Sequence, residues 1–152
     1  MMPNAVQVQR FDPVPVAVIR RQADRKELSR LVPECCGIVW NALRAQGVRG
    51  GRHVAIYWDS GIRLEVGAEV SIPFTEDGTV VRSATPGGLV AWTTHLGPYG
   101  ELGAAHDAVR EWCKRNNHAT AGPNWEIYGH WKQEWDSNPS QIRTDVFYLL
   151  RS

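Results

Sequence analysis

The 152-residue sequence is short of most features that would place it outside the ordinary globular class. It has no uninterrupted apolar stretch of ~18 residues, so a helical membrane span is excluded. Met1 to Phe11 holds no basic run followed by an apolar one, so no secretory signal is expected and the chain reads as cytoplasmic. Cysteine is scarce and odd in number. Cys35, Cys36 and Cys113, without CxxC spacing, fit free thiols in a reducing compartment. Charge of one sign is also lacking: 17 Lys+Arg against 16 Asp+Glu leave +1. That balance argues against binding nucleic acid by neutralising phosphates. His53, His95, His106, His118 and His130 fall at no metal-ligand spacing. A GxSxG elbow and a glycine-rich phosphate loop are missing. Neither a metal nor a cofactor is expected. Asp107 with Arg110 suits a helix-surface ion pair, and Cys113 belongs to an apolar helix stripe rather than to a nucleophile paired with His106.

Tryptophan, by contrast, is abundant, with seven in the chain and five of them beyond residue 90. Each is large and carries an N–H that needs a partner. The elements around them occur twice. Val14–Ile19 reads as a strand, with a helix over about 33–46 and a turn before it near 24–31. His53–Trp58 is a second strand, and Asp59-Ser60-Gly61 a turn. Ile62, Leu64, Val66, Ala68, Val70 and Ile72 alternate with polar or small residues, the mark of a half-buried antiparallel strand. Residues 79–83 offer a further short strand. The order then restarts with a strand at Leu89–His95, a helix over about 98–116 and strands at Asn124–His130 and Arg143–Leu150. A long polar loop, Lys132 to Gln141, joins the last two strands.

A shift of 71 residues lays Gly51, Ile56 and Tyr57 on Gly122, Ile127 and Tyr128, and Val18-Ile19 on Leu89-Val90. Beyond Tyr128 the second copy holds about nine extra residues, so Glu65 aligns with Asp145. This predicts an α+β fold of one domain over residues 1–152. Its two pseudo-symmetric βαββ halves, about 5–85 and 86–152, have antiparallel sheets, helices on one face and a ligand cleft between the halves. In the second copy Trp125 and Ile127 point one way and Glu126 and Tyr128 the other. The apolar pair suits the helix side, leaving Glu126 and Tyr128 on the opposite, concave face. Ala55 and Tyr57 are their counterparts. One acid among aromatic rings suits an organic cation. A solvent-facing glutamate and plain sheet tyrosines are the ordinary alternatives. Trp40, Trp112 and Trp125 are expected on helix-facing core positions, and Trp131 and Trp135 over the cleft as a lid or rim.

Certain motifs resemble a known family: Pro86-Gly87-Gly88, His95-Leu96-Gly97-Pro98-Tyr99, Glu111-Trp112, Gly122-Pro123-Asn124-Trp125-Glu126-Ile127-Tyr128 and Thr144-Asp145-Val146-Phe147-Tyr148-Leu149. Together they resemble the GyrI-like small-molecule-binding domain, the effector-binding domain of bacterial multidrug-responsive transcription activators. Copy one contributes Val54–Asp59 and Glu65–Val70. The resemblance covers roughly residues 5–150. It implies the two-half fold, a cleft for lipophilic, cationic aromatic compounds and an acid at the cleft floor, here Glu126. The stretch Gly129 to Trp135 departs from the shared motifs.

Three functions follow as expectations. In the first, a stand-alone binding protein senses or sequesters such compounds, with Glu126 supplying charge and Tyr57, Trp92, Tyr99, Tyr128, Tyr148, Trp131 and Trp135 supplying ring contacts. With a first strand near residue 14, it is not expected to bind DNA directly, and a partner regulator is the implied route to transcription. The second is a hydrolase opening cyclopropane-bearing alkylating natural products, using Glu126 and Tyr128 as catalytic residues. The third is an interaction protein that inhibits gyrase. The resemblance implies both alternatives.

Overall fold

The computed structural model describes residues 5–24, 26–59 and 63–151. Ser60, Gly61 and Ile62 lie outside the described residues, so the end of the Asp59 turn and the start of the alternating strand stay as expectations. Eight strands form one antiparallel sheet: β1 (Gln7–Phe11), β2 (Pro15–Gln22), β3 (Gly50–Tyr57), β4 (Arg63–Val70), β5 (Val81–Ala84), β6 (Gly88–Leu96), β7 (Thr120–Tyr128) and β8 (Arg143–Leu150). Their spatial order is β1-β6-β8-β7-β3-β4-β2-β5. Two long helices, α1 (Leu28–Ala45) and α2 (Leu102–Arg115), join β2 to β3 and β6 to β7. A short α3 (Glu134–Ser137) sits in the β7–β8 connection, which the sequence reading took as plain loop. No helix among the described residues is long and apolar enough to cross a membrane.

One boundary and one strand differ from expectation. Helix α1 starts at Leu28 and carries Pro33 within it, because Leu31, Cys35, Val39 and Leu43 form one buried stripe that holds the first turns in place. Asp24 accepts from the amides of Lys26 and Glu27 just ahead of the helix. Strand β1 was not expected at all. Its residues pair along β6, from Gln7 opposite Trp92 to Phe11 opposite Gly88, and their own pattern is too polar to announce a strand.

The halves meet where β3 pairs with β7, and Ala55 stands directly opposite Glu126. These are the residues that the 71-residue shift equates, so the pseudo-dyad passes between them. The shift does not hold for the first strand of each half. Ile19 faces Val66 as Thr93 faces Val146, which makes those equivalents 74 positions apart. Glu65 and Asp145 do correspond. Both are buried, and each is held by an arginine, Arg20 or Arg143.

Only residues 12–14 separate β1 from β2, a reach of at most about 14 Å between strand ends. A flat sheet would hold those strands, six spacings apart, near ~29 Å. The sheet therefore curls so that this short link can cross between its edges, and Val14 within the link extends the β2–β5 ladder by exchanging two hydrogen bonds of 2.8 and 3.0 Å with Thr85. The curl closes on the face away from the helices, around Val16, Val18, Val54, Ile56, Val90, Trp125, Ile127 and Phe147. This reverses the expected assignment of faces. Trp125 and Ile127 fill the inside of the curl, and Glu126 and Tyr128 share the helix side. The apolar pair was assigned to the helices because only one face was assumed to need filling. Trp125 stacks on Phe147, and Phe147 on Trp92, with ring centroids 5.2 and 5.7 Å apart. Helix α1 rests on β2, β3 and β4, and α2 on β6 and β8, each with its own apolar cluster. Trp40 and Trp112 are half-buried on these helices, against His53 and His118 respectively.

Strand β4 runs so close to β2 that a Cβ on Gly67 would lie 1.8 Å from the carbonyl oxygen of Ala17. Gly67→Ala is expected to destabilise the fold by about 3 kcal/mol through forced separation of the strands, measured as a lowered urea midpoint. His53, under Trp40, is held below its ordinary value of 6.5 by burial, against a hydrogen bond from its ring to the Gly67 carbonyl. The unfolded chain binds this proton first. Stability is therefore expected to fall as pH drops below 6.5, and His53→Gln should flatten that part of the melting-temperature profile.

Candidate functional site

The pseudo-dyad and the placement of the helices together make the site. Strands β3 and β7 are central, and their helix-side floor lies between α1 and α2. Glu126 rises from that floor on the axis, across from the small side chain of Ala55. Tyr57 and Tyr128, related by the same axis, stand on either side of it. Tyr128 donates to Glu126 Oε1 at 2.5 Å and Tyr57 approaches the same oxygen at 3.5 Å. The other oxygen, Oε2, meets His106 Nε2 of α2 at 2.6 Å. His106 Nδ1 lies 2.7 Å from the Tyr148 hydroxyl, which also accepts from Arg110 at 2.9 Å. One proton arrangement satisfies every contact: Tyr148 donates to Nδ1 and Nε2–H donates to the carboxylate. Arg110 is also paired with Asp107.

Glu126 is only 6% exposed, and a buried carboxylate needs such donors. The phenols are held in their donor form. Burial first, and the Glu126 charge second, push both Tyr57 and Tyr128 well above the ordinary tyrosine range. Tyr148 is raised by burial against the opposing pull of Arg110. Tyr99, in a 3-10 turn ahead of α2, is 44% exposed and meets Tyr128 edge to face, with centroids 5.7 Å apart. On α1, the Cys36 thiol packs against the same apolar cluster as Tyr57 and Tyr128, and it is pushed up to about 12 by burial, and then by Cys35. Beside Tyr128, the fully buried Thr144 hydroxyl is without a hydrogen-bond partner among the described residues.

Five of the anticipated residues, Glu126, Tyr57, Tyr128, Tyr148 and Tyr99, thus gather in one place. Trp92 stands on the other face, against Phe11 and Phe147, with its N–H on Gln9. Trp131 and Trp135 pack on each other at 5.4 Å in the β7–β8 connection. Trp135 is buried against the strand ends at Gly129 and Arg143, whereas Trp131 is 53% exposed and donates to Asp136. His106 and Arg110 were missed as site residues. Their i,i+4 spacing beside the Ala105–Val109 stripe was the available signal. No group of three or more metal-capable side chains occurs among the described residues.

The family model for the GyrI-like small-molecule-binding domain matches residues 4–151. The chain belongs to that family. A search of curated proteins finds no match. Among solved structures, the EcmrR C-terminal domain superposes with a TM-score of 0.77 at 17% identity, covering 97% of this chain and 98% of that one. SAV2435 bound to tetraphenylphosphonium gives 0.71 at 10% identity, with 97% and 94% coverage. A hydrolase from Listeria innocua gives 0.62 at 10% identity, with 98% and 93% coverage. These likenesses concern the fold.

Replacing the unpartnered hydroxyl in Thr144→Val is expected to stabilise the protein by about 1 kcal/mol, read from equilibrium urea unfolding.

Proposed function

We propose that this GyrI-like domain binds lipophilic organic cations in the groove between α1 and α2, so as to sense or sequester them. The observation that carries this reading is the buried carboxylate of Glu126 on the pseudo-dyad, ringed by tyrosines. Its donors are phenols and an imidazole, and among the described residues no arginine or lysine is bonded to it. An entering cation can therefore take up attraction that a guanidinium partner would already have cancelled. At an effective dielectric near 20, a charge at ~5 Å gains roughly 3 kcal/mol. Ring faces add cation–π attraction, and exposed Tyr99 stands at the groove's margin. The neighbour carrying tetraphenylphosphonium supports the same ligand class.

The test is calorimetric titration with tetraphenylphosphonium and with neutral triphenylphosphine oxide. Glu126→Gln should weaken the cation at least about tenfold, equivalent to ~1.4 kcal/mol, and leave the neutral compound unaffected. Unchanged cation affinity in the variant overturns the reading.

A hydrolase is the second reading, favoured by the 2.6 Å contact of Glu126 with His106, an acid–base pair able to position and deprotonate water. Tyr128, held protonated, would hydrogen-bond the substrate rather than act as base. Mass spectrometry separates the two readings. Added water in a cyclopropane-bearing compound marks turnover, and recovery of the compound unchanged marks binding.

A further inference from the structure

At the opposite end of α1 from its first turn, the chain forms a concavity of about 920 Å³. It is lined by Trp40, Arg44, Arg49, Gly50, Ser71 and His130, among others. None of these belongs to the groove around Glu126. We propose that this concavity is a second binding site, and that it takes a small organic anion carrying an aromatic ring.

The charge of the lining decides the sign. Glu69 is the acid there, and it is neutralised: Arg52 holds it with Nε at 2.9 Å and Nη2 at 3.1 Å. Arg44 and Arg49 have no such partner. Among the described residues neither side chain makes a hydrogen bond or an ion pair. Two guanidiniums with all their donors free therefore face a concavity whose acid is already occupied. Guanidinium forks match carboxylate, sulfonate and phosphate oxygens, often in pairs of bonds.

Two of the last carbonyls of α1 are engaged within the chain and so do not face an anion, since Leu43 accepts from Gln46 and Val48, and Arg44 from Gly47. Gln46 also bonds Thr75 through both ends of its amide, which closes the turn.

The wall explains the aromatic part. Trp40 packs so closely on the chain that a Cβ on Gly50 would lie 2.9 Å from its ring. His53 supports the indole at 5.3 Å. The indole is thus fixed in place and half-buried. A rigid ring beside two free guanidiniums suits a planar ligand with an anionic substituent, and the volume falls in the range of small-molecule sites, roughly 300–1,000 Å³.

The experiment is titration of the protein with 1-naphthyl phosphate, followed by calorimetry and by amide and indole N–H shifts in nuclear magnetic resonance. Inorganic phosphate and 1-naphthol serve as half-ligands. The expected result is saturable one-to-one binding, with shifts centred on Trp40, Gly50 and Gly51. Affinity should fall at least about tenfold in Arg44→Gln/Arg49→Gln, both exposed positions, and stay unchanged in Glu126→Gln. Both half-ligands should bind more weakly than 1-naphthyl phosphate. The proposal is overturned if binding is not saturable, if the double arginine variant binds as well as the parent, or if the shifts centre on Tyr57 and Tyr128. Equal affinity for inorganic phosphate or for 1-naphthol overturns it as well.

Discussion

The structure turns on the antiparallel pairing of β3 with β7. That ladder joins the two halves into one sheet and places Ala55 against Glu126 at the pseudo-dyad. Two carboxylates facing each other on such an axis would repel. One half supplies a methyl group and the other a carboxylate. The tyrosines one step further out, Tyr57 and Tyr128, are kept in both halves and converge on the carboxylate from opposite sides. A near-symmetric scaffold thus presents one charge at its centre, with a donor from each half to hold it.

The curl of the sheet determines what that centre is free to do. Because the three-residue link from β1 to β2 draws the edges together, the concave face is sealed by its own side chains, with Trp125 and Phe147 in the middle. The sheet needs no partner there. The helices then cover the convex face, one for each half, and the central floor between them is polar, with His106 of α2 reaching Glu126. A small fold of this kind stabilises itself on both faces of the sheet and still keeps a polar strip on one of them. The buried acids on the concave side, Glu65 and Asp145, show the contrast. Arginines bind both, and their charge is compensated within the fold. Glu126 alone of the three is held by phenols and an imidazole.

Much of this was legible in the residues. The repeat, the order of elements and the βαββ halves follow from periodicity and from the matched Gly51–Tyr57 and Gly122–Tyr128 segments, because the pseudo-symmetry repeats the same packing problem. Glu126 stood out because Ala55 occupies its mate position. The face it points to was not legible. Alternation separates Glu126 from Trp125 but does not say which of the two faces carries a helix, and here both faces are buried. Strand β1 was hidden because its stability comes from pairing with β6 and from Phe11 reaching Phe147, neither of which is local. His106 was hidden for a related reason. Its meaning depends on a glutamate twenty residues away that only the α2–β7 crossover brings within reach.

The surplus of tryptophan resolves along the same lines. Its members do not form one aromatic box. Trp125 fills the curl, Trp92 and Trp58 close that interior at its margins, and Trp40 and Trp112 brace the helices through histidines. Only Trp131 stands well out in solvent, steadied by Trp135 and Asp136. The rings around the central acid are tyrosines instead, and the difference has a physical basis. A phenol offers both a face for a cation and an O–H for the carboxylate, so the same side chain can hold Glu126 when the groove is empty and present its ring when a ligand takes over the charge. An indole in that place has its N–H fixed on the ring edge and a larger body to bury. On the proposed cation-binding reading, tyrosine suits a floor that must serve both states, and tryptophan suits the parts of the fold that have only one.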